Sequence, residues 1–124
     1  MAVSADEYKK ALLALQEALD LFNKAKIDEP AKKAFRDAAI QRFEYCVELA
    51  WKLAKKSMGS SSTAPRMIIR EMAQNKLIDD PTIWFSFLEA RNKTSHTYDE
   101  KVAEEVFIEI VKFLPEAKLL QKKF

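Results

Sequence analysis

A single glycine, Gly59, serves the whole 124-residue chain. Loops that cradle phosphates need several glycines, because only an uncluttered backbone lets its N–H groups approach the anion closely. One glycine therefore excludes a P-loop or a dinucleotide fingerprint, and the chain is expected not to hold a nucleotide by its own backbone. The same scarcity points to helices joined by short connections.

Apolar spacing gives the helices. Tyr8, Leu12, Leu15, Leu19 and Phe22 recur at alternating four and three spacing, predicting a first helix from a Ser4 cap to about Lys26. Asp28-Glu29-Pro30 opens a second, with Asp28 as cap and Pro30 in the first turn, ending near Gly59. Phe35, Ala39, Arg42, Cys46, Leu49 and Leu53 lie on one of its faces, and Phe43, Val47, Ala50 and Ala54 widen that face. A helix apolar over so wide an arc is central. The loop GSSSTAP (59–65) leads to a short third helix with Ile68, Ile69, Met72, Ala73 and Leu77 inward. Asp79-Asp80-Pro81 starts a fourth, whose face of Trp84, Phe87 and Leu88 continues to Arg91. A fifth begins near Asp99, carries the stripe Val102, Val106, Ile110, Phe113, and is kinked or ended by Pro115. The expected fold is all-α: an antiparallel up-and-down bundle of four main helices plus one short helix, one domain over residues 1–124. Trp84, Phe85 and Phe87 point in successive directions, so at least one is expected to pack on a neighbouring helix or a partner chain.

Charge narrows the function. Charged residues make up 32% of the chain but nearly cancel, leaving a net +2, which is weak for a dedicated duplex-DNA binder. No apolar run nears membrane-spanning length and the N-terminus lacks a signal-peptide core, so a soluble cytoplasmic protein without a membrane role is expected. One histidine, one cysteine and no Glu-x-x-His pair give no metal or cofactor site. Glu44 with Glu48, and Glu105 with Glu109, read as solvated helix faces. No nucleophile elbow is present, against a serine hydrolase.

The remaining chemistry lies in RNKTSHTY, residues 91–98, which holds the lone histidine. On an ideal helix Arg91 and His96 diverge by about 140°. They converge only at a helix end, and His96 and Tyr98 point the same way only if the chain is extended there. A guanidinium, an imidazole and a phenol would then ring a small polar pocket suited to phosphodiester chemistry. Arginine forks onto phosphate oxygens and histidine exchanges a proton near neutrality. No metal is needed if the nucleophile is the ribose hydroxyl of RNA itself. The plainer reading is a helix end, with Arg91 paired to Glu44 or Asp99 and Tyr98 in packing. Spacing alone favours the plainer reading.

Two stretches shift that balance. QRFEYCVELAWKLAKK (41–56) and EARNKTSHTYDE (89–100), in this order and on these helices, resemble the HEPN-domain proteins. Within them they most resemble the nucleotidyltransferase substrate-binding proteins related to the HepT toxins. The resemblance implies a helical bundle that dimerises and partners a minimal nucleotidyltransferase encoded nearby. This chain lacks the transferase's own Gly-Ser and paired-aspartate motif, so it would be the accessory subunit of a two-component, toxin–antitoxin-like system. In the HepT branch the helical protein is a metal-independent ribonuclease, silenced when the partner adds AMP to the motif tyrosine. Carried across, Arg91 and His96 would be the catalytic pair, Asn92 a supporting polar residue and Tyr98 the AMP acceptor. Apart from the resemblance, Lys52, Lys55 and Lys56, with Arg66 and Arg70 nearby in sequence, read either as a basic rim for RNA, such as tRNA, or for the partner, or equally as a solvated helix face. Three functions stay open: a substrate-presenting subunit, a ribonuclease toxin, and a helical scaffold with no site.

Overall fold

The computed structural model describes residues 3–124. Five α-helices and one 3₁₀ turn follow in order: α1 (Ala5–Lys24), α2 (Pro30–Met58), α3 (Pro65–Gln74), α4 (Pro81–Asn92), the turn Thr94–His96, and α5 (Glu100–Gln121). The bundle is all-helical, with four main helices and the short α3. α2 is the hub, packing against α1, α3, α4 and α5. Its broad apolar arc explains this: ten of its residues are buried, running from Arg36 to Ala54.

Helix ends follow capping chemistry. The Ser4 hydroxyl accepts from Glu7 N at 3.1 Å and starts α1. Asp80 accepts from Thr82 N at 2.9 Å, and Asp99 from Lys101 N at 2.9 Å, opening α4 and α5. Gly59 stops α2 in the left-handed conformation, φ 65°.

Four expectations need correction. α1 ends at Lys24, because Ala25 turns extended (φ −72°, ψ 145°). Glu29, not Asp28, occupies the cap of α2, because Pro30 sits in the first turn and drives the residue before it extended. Leu77 lies beyond α3, where Lys76 adopts φ 61° and breaks the helix. Pro115 does not end α5, which runs on to Gln121. The ring removes one N–H, and the carbonyl left without a donor belongs to exposed Val111, on the face where water can satisfy it.

The core centres on Phe113. Its ring meets those of Phe43, Phe87 and Trp84 edge-on at 5.1, 5.2 and 5.7 Å between centroids. Edge-to-face geometry adds roughly 0.5–1.5 kcal/mol per pair beyond area burial. Tyr8, fully buried on α1, donates to the Ala117 carbonyl of α5 at 3.0 Å and so pins the two ends of the chain together. Burial drives its phenol pKa upward, keeping it a neutral donor. Phe85, the aromatic that cannot join the core face, is covered from α3 instead. The Arg66 and Arg70 guanidinium carbons sit 4.4 and 5.8 Å from its ring centre. No helix among the described residues is long and apolar enough to cross a membrane.

Candidate functional site

The 91–98 segment lies against one side of α2, and α2 grips it at three points. Arg91, in the last turn of α4, places Nε 2.9 Å from Glu48 Oε1. Thr94, at the start of the 3₁₀ turn, sets its hydroxyl 3.0 Å from Glu44 Oε2 and 2.7 Å from the Arg91 carbonyl, two acceptors that share its one proton. Glu100, the first residue of α5, receives a two-pronged bond from Arg36, with Nη1 at 2.5 Å and Nη2 at 3.0 Å. Arg36 is the one charged residue buried among those described, at 8% exposure. Its fork holds the Glu100 carboxyl below the usual carboxylate range. Removing a charge from water is costly, and the paired geometry offsets that cost.

Glu44 and Glu48 are therefore half-buried contacts to the motif and not a solvated face. Arg91 pairs with Glu48, not with Glu44 or Asp99. The reason is register: the segment runs antiparallel to α2, so Arg91, one turn before Thr94, meets Glu48, one turn after Glu44. Glu48 also holds Lys52 Nζ at 3.5 Å with its other oxygen, so one carboxylate links Arg91 to the first lysine of the expected rim. The Arg91 Nε is buried and its N–H is off the line of the contact, leaving the pair electrostatic. Among the described residues the two Nη nitrogens of Arg91 make no hydrogen bond, so the outer edge of the fork is open.

His96 and Tyr98 are brought together, although the chain between them is not extended. His96 N bonds Lys93 O at 3.0 Å, Asp99 N bonds His96 O at 3.1 Å, and the Thr97 hydroxyl bonds Thr94 O at 3.1 Å, keeping the segment wound. The two rings nonetheless meet edge-on, 6.1 Å between centroids. Tyr98 is 86% exposed, and both side chains lack hydrogen-bond partners among the described residues. A cleft of about 590 Å³ opens between α2 and this turn, lined in part by Lys33, Glu44, Thr94, Ser95 and Tyr98. Arg91 and His96 are not among its walls. Within one chain the segment thus gives two neighbouring features: a cleft edged by Tyr98, and an anchored guanidinium. It does not give a single pocket ringed by all three groups. Asn92, the last residue of α4, is exposed.

The rest of the basic rim is partly engaged. Lys56 donates to the Val3 carbonyl at 3.0 Å, Lys55 is half-buried, and Arg66 and Arg70 stack on Phe85. No group of three or more His, Cys, Asp or Glu among the described residues is placed to hold a metal ion. Spacing alone gave little sign of Glu48 or Arg36 as partners of the motif. The available signal was their polarity on the flank of a helix apolar over most of its circumference.

Comparison with known proteins places this geometry. Residues 4–124 match the family model described as nucleotidyltransferase substrate binding protein like. A probable ribonuclease HepT of Haemophilus influenzae is 34% identical over 90 residues, 66% of this chain and 62% of that protein. The match therefore spans less than two thirds of that relative's length. A Haemophilus influenzae structure described as revealing the fold of a substrate-binding domain of a nucleotidyltransferase superposes with TM-score 0.82 at 26% identity, covering 96% of this chain and 97% of the other. A crystal structure from Thermus thermophilus gives 0.78 at 28% identity, over 94% and 97%.

Proposed function

The chain belongs to the nucleotidyltransferase substrate-binding protein-like family, and from that premise we propose that it is the helical accessory subunit of a small, separately encoded nucleotidyltransferase. The observation that carries this reading is Tyr98: an exposed phenol at the edge of a cleft, on a segment clamped to α2 at three points. A partner transferase reaches such a hydroxyl without unfolding anything. In the reaction we assign to it, the Tyr98 oxygen attacks the α-phosphorus of ATP. The new O–P bond carries AMP, pyrophosphate leaves, and the phenol proton passes to solvent or to a base on the partner. The chain supplies the acceptor and the transferase supplies the catalyst. Co-purification with the adjacent transferase, and ATP-dependent mass gain by the wild type but not by Tyr98→Phe, is the expected result. Mass gain by both proteins would remove Tyr98 from the reading.

A second reading is favoured by Arg91 and His96: this protein is a metal-independent ribonuclease. Arg91, anchored through Nε, presents its free Nη edge to a phosphodiester. His96, exposed and unengaged, takes the proton from the ribose 2′-hydroxyl. The 2′-oxygen then bonds phosphorus, the bond to the 5′-oxygen breaks, that oxygen takes a proton from the imidazolium or from water, and a 2′,3′-cyclic phosphate remains. Because Arg91 and His96 do not share one pocket in a single chain, this reading uses a second copy to complete the site. The two readings are compatible, with AMP on Tyr98 covering the ribonuclease site. Cleavage of a tRNA pool in excess EDTA by the wild type and not by His96→Ala is expected. Equal RNA stability with both proteins would leave the segment as a docking surface.

A further inference from the structure

The outward ridge of α5 carries a second stripe that nothing in this chain covers. Positions 104, 108, 111, 115, 118 and 122 are all exposed, and successive steps alternate between four and three residues. That is heptad spacing, the pattern by which one helix seats on another. The middle is apolar: Ile108 and Val111 are 57% and 54% exposed, Pro115 follows, and Leu119, 53% exposed, lies beside Lys118. Half-exposed aliphatics in line on a helix ridge mark an interaction surface more strongly than scattered ones do. The ends are charged and opposite, Glu104 at one and Lys122 at the other. Neither has an ion-pair partner among the described residues.

This pattern is its own complement when reversed. If a second α5 runs antiparallel about a two-fold axis beside Phe113, Val111 faces Pro115 of the other copy. Ile108 faces position 118 and the exposed Leu119 beside it, and Glu104 faces Lys122. Each pairing occurs twice, as an isologous interface requires. The parallel arrangement would set Glu104 on Glu104 and Lys122 on Lys122. Lys118 already spans to Gln16 Oε1 at 2.8 Å, which lays its stem across the α1–α5 groove and leaves the ridge clear.

We propose that the α5 ridge is a self-association surface, occupied by the same ridge of a second copy in antiparallel register. The assignment is independent of the proposed function. With a rise of about 1.5 Å per residue, the motif at the start of α5 lies roughly 20 Å from the axis. The two motif segments therefore sit at opposite ends of the pair and remain open. This contact is distinct from any that joins two motif segments in one cleft. The seam is about 27 Å long, too short for an obligate interface and suited to association in the micromolar range.

The test is sedimentation of the full chain across the micromolar range, as wild type, Glu104→Lys, Lys122→Glu, the double reversal, and Val111→Glu. Wild type is expected to self-associate. Either single reversal sets like charges together twice per dimer and is expected to raise the dissociation constant about tenfold. The double reversal restores opposite charges and recovers the wild-type constant to within about threefold. Val111→Glu abolishes the contact. All these positions are exposed, and far-UV circular dichroism checks that each variant stays folded. Single and double reversals that behave alike, or a Val111→Glu variant with the wild-type association profile, would overturn the proposal. So would a wild type that remains monomeric throughout.

Discussion

Glu48 Oε1 stands 2.9 Å from Arg91 Nε, and the same carboxylate reaches Lys52 with its other oxygen. One acidic side chain thus sets the orientation of the guanidinium most suited to grip a phosphate. Glu48→Gln keeps the shape and removes the charge. It is expected to cost about 1 kcal/mol of stability in urea unfolding, the usual scale for a partly buried charged contact. It should also widen the range of Arg91 side-chain orientations, read as a lower Nε–H order parameter in nuclear magnetic resonance spectra. An unchanged order parameter would show that Glu48 does not fix the side chain.

The Arg36–Glu100 pair makes stability depend on pH. Glu100 has its carboxyl lowered, first by the bonds from Arg36, so its contribution is present above the ordinary carboxylate range. It is lost as pH falls through the lowered folded-state value. Urea midpoints of wild type and Glu100→Gln measured from neutral pH downward are expected to converge in acid, with the wild type ahead near neutrality. A constant gap across the range would rule the pair out as the source.

Phe113 is the hub of four aromatic rings, and Phe113→Ala leaves a void that rigid neighbours fill poorly. A loss of roughly 3–5 kcal/mol is expected in chemical denaturation. A loss under about 1 kcal/mol would mean the core re-closes around the gap.

Cys46 is fully buried, and burial pushes its thiol up to about 12. The thiolate is the reactive form, so Ellman's reagent at mildly alkaline pH should label the native protein only as fast as it unfolds. Stoichiometric labelling faster than unfolding would contradict the packing around α2.

Much of the fold was legible because the apolar spacing is regular and the caps are conventional. Ser4, Gly59, Asp80 and Asp99 all act where spacing put them. Pro115 misled, since its rule concerns a lost bond and the structure leaves the orphaned carbonyl in water. The site was legible only in part. Residues 91–98 stand out by composition, and His96 and Tyr98 do pair, but on a wound turn and not through the extended chain that the spacing called for. Glu44, Glu48 and Arg36 did not stand out, because their roles depend on which flank of α2 the returning chain lands upon. The outer α5 stripe was hidden for a related reason. Ile108, Val111 and Leu119 look like a broadening of the inner stripe until the helix is placed and they fall on its far side.

The three clamps on the motif also carry a timing consequence. The Thr94–Glu44 contact joins residues 50 apart in the chain, and the Arg36–Glu100 contact joins residues 64 apart. Local helix formation supplies neither. α2, and with it the Glu44 and Glu48 carboxylates, is complete before α4 is made, so the Arg91 and Thr94 contacts need nothing that follows residue 94. Only the Arg36–Glu100 contact waits for the start of α5. Until α5 docks, the turn that carries Tyr98 is held to α2 from its α4 side alone.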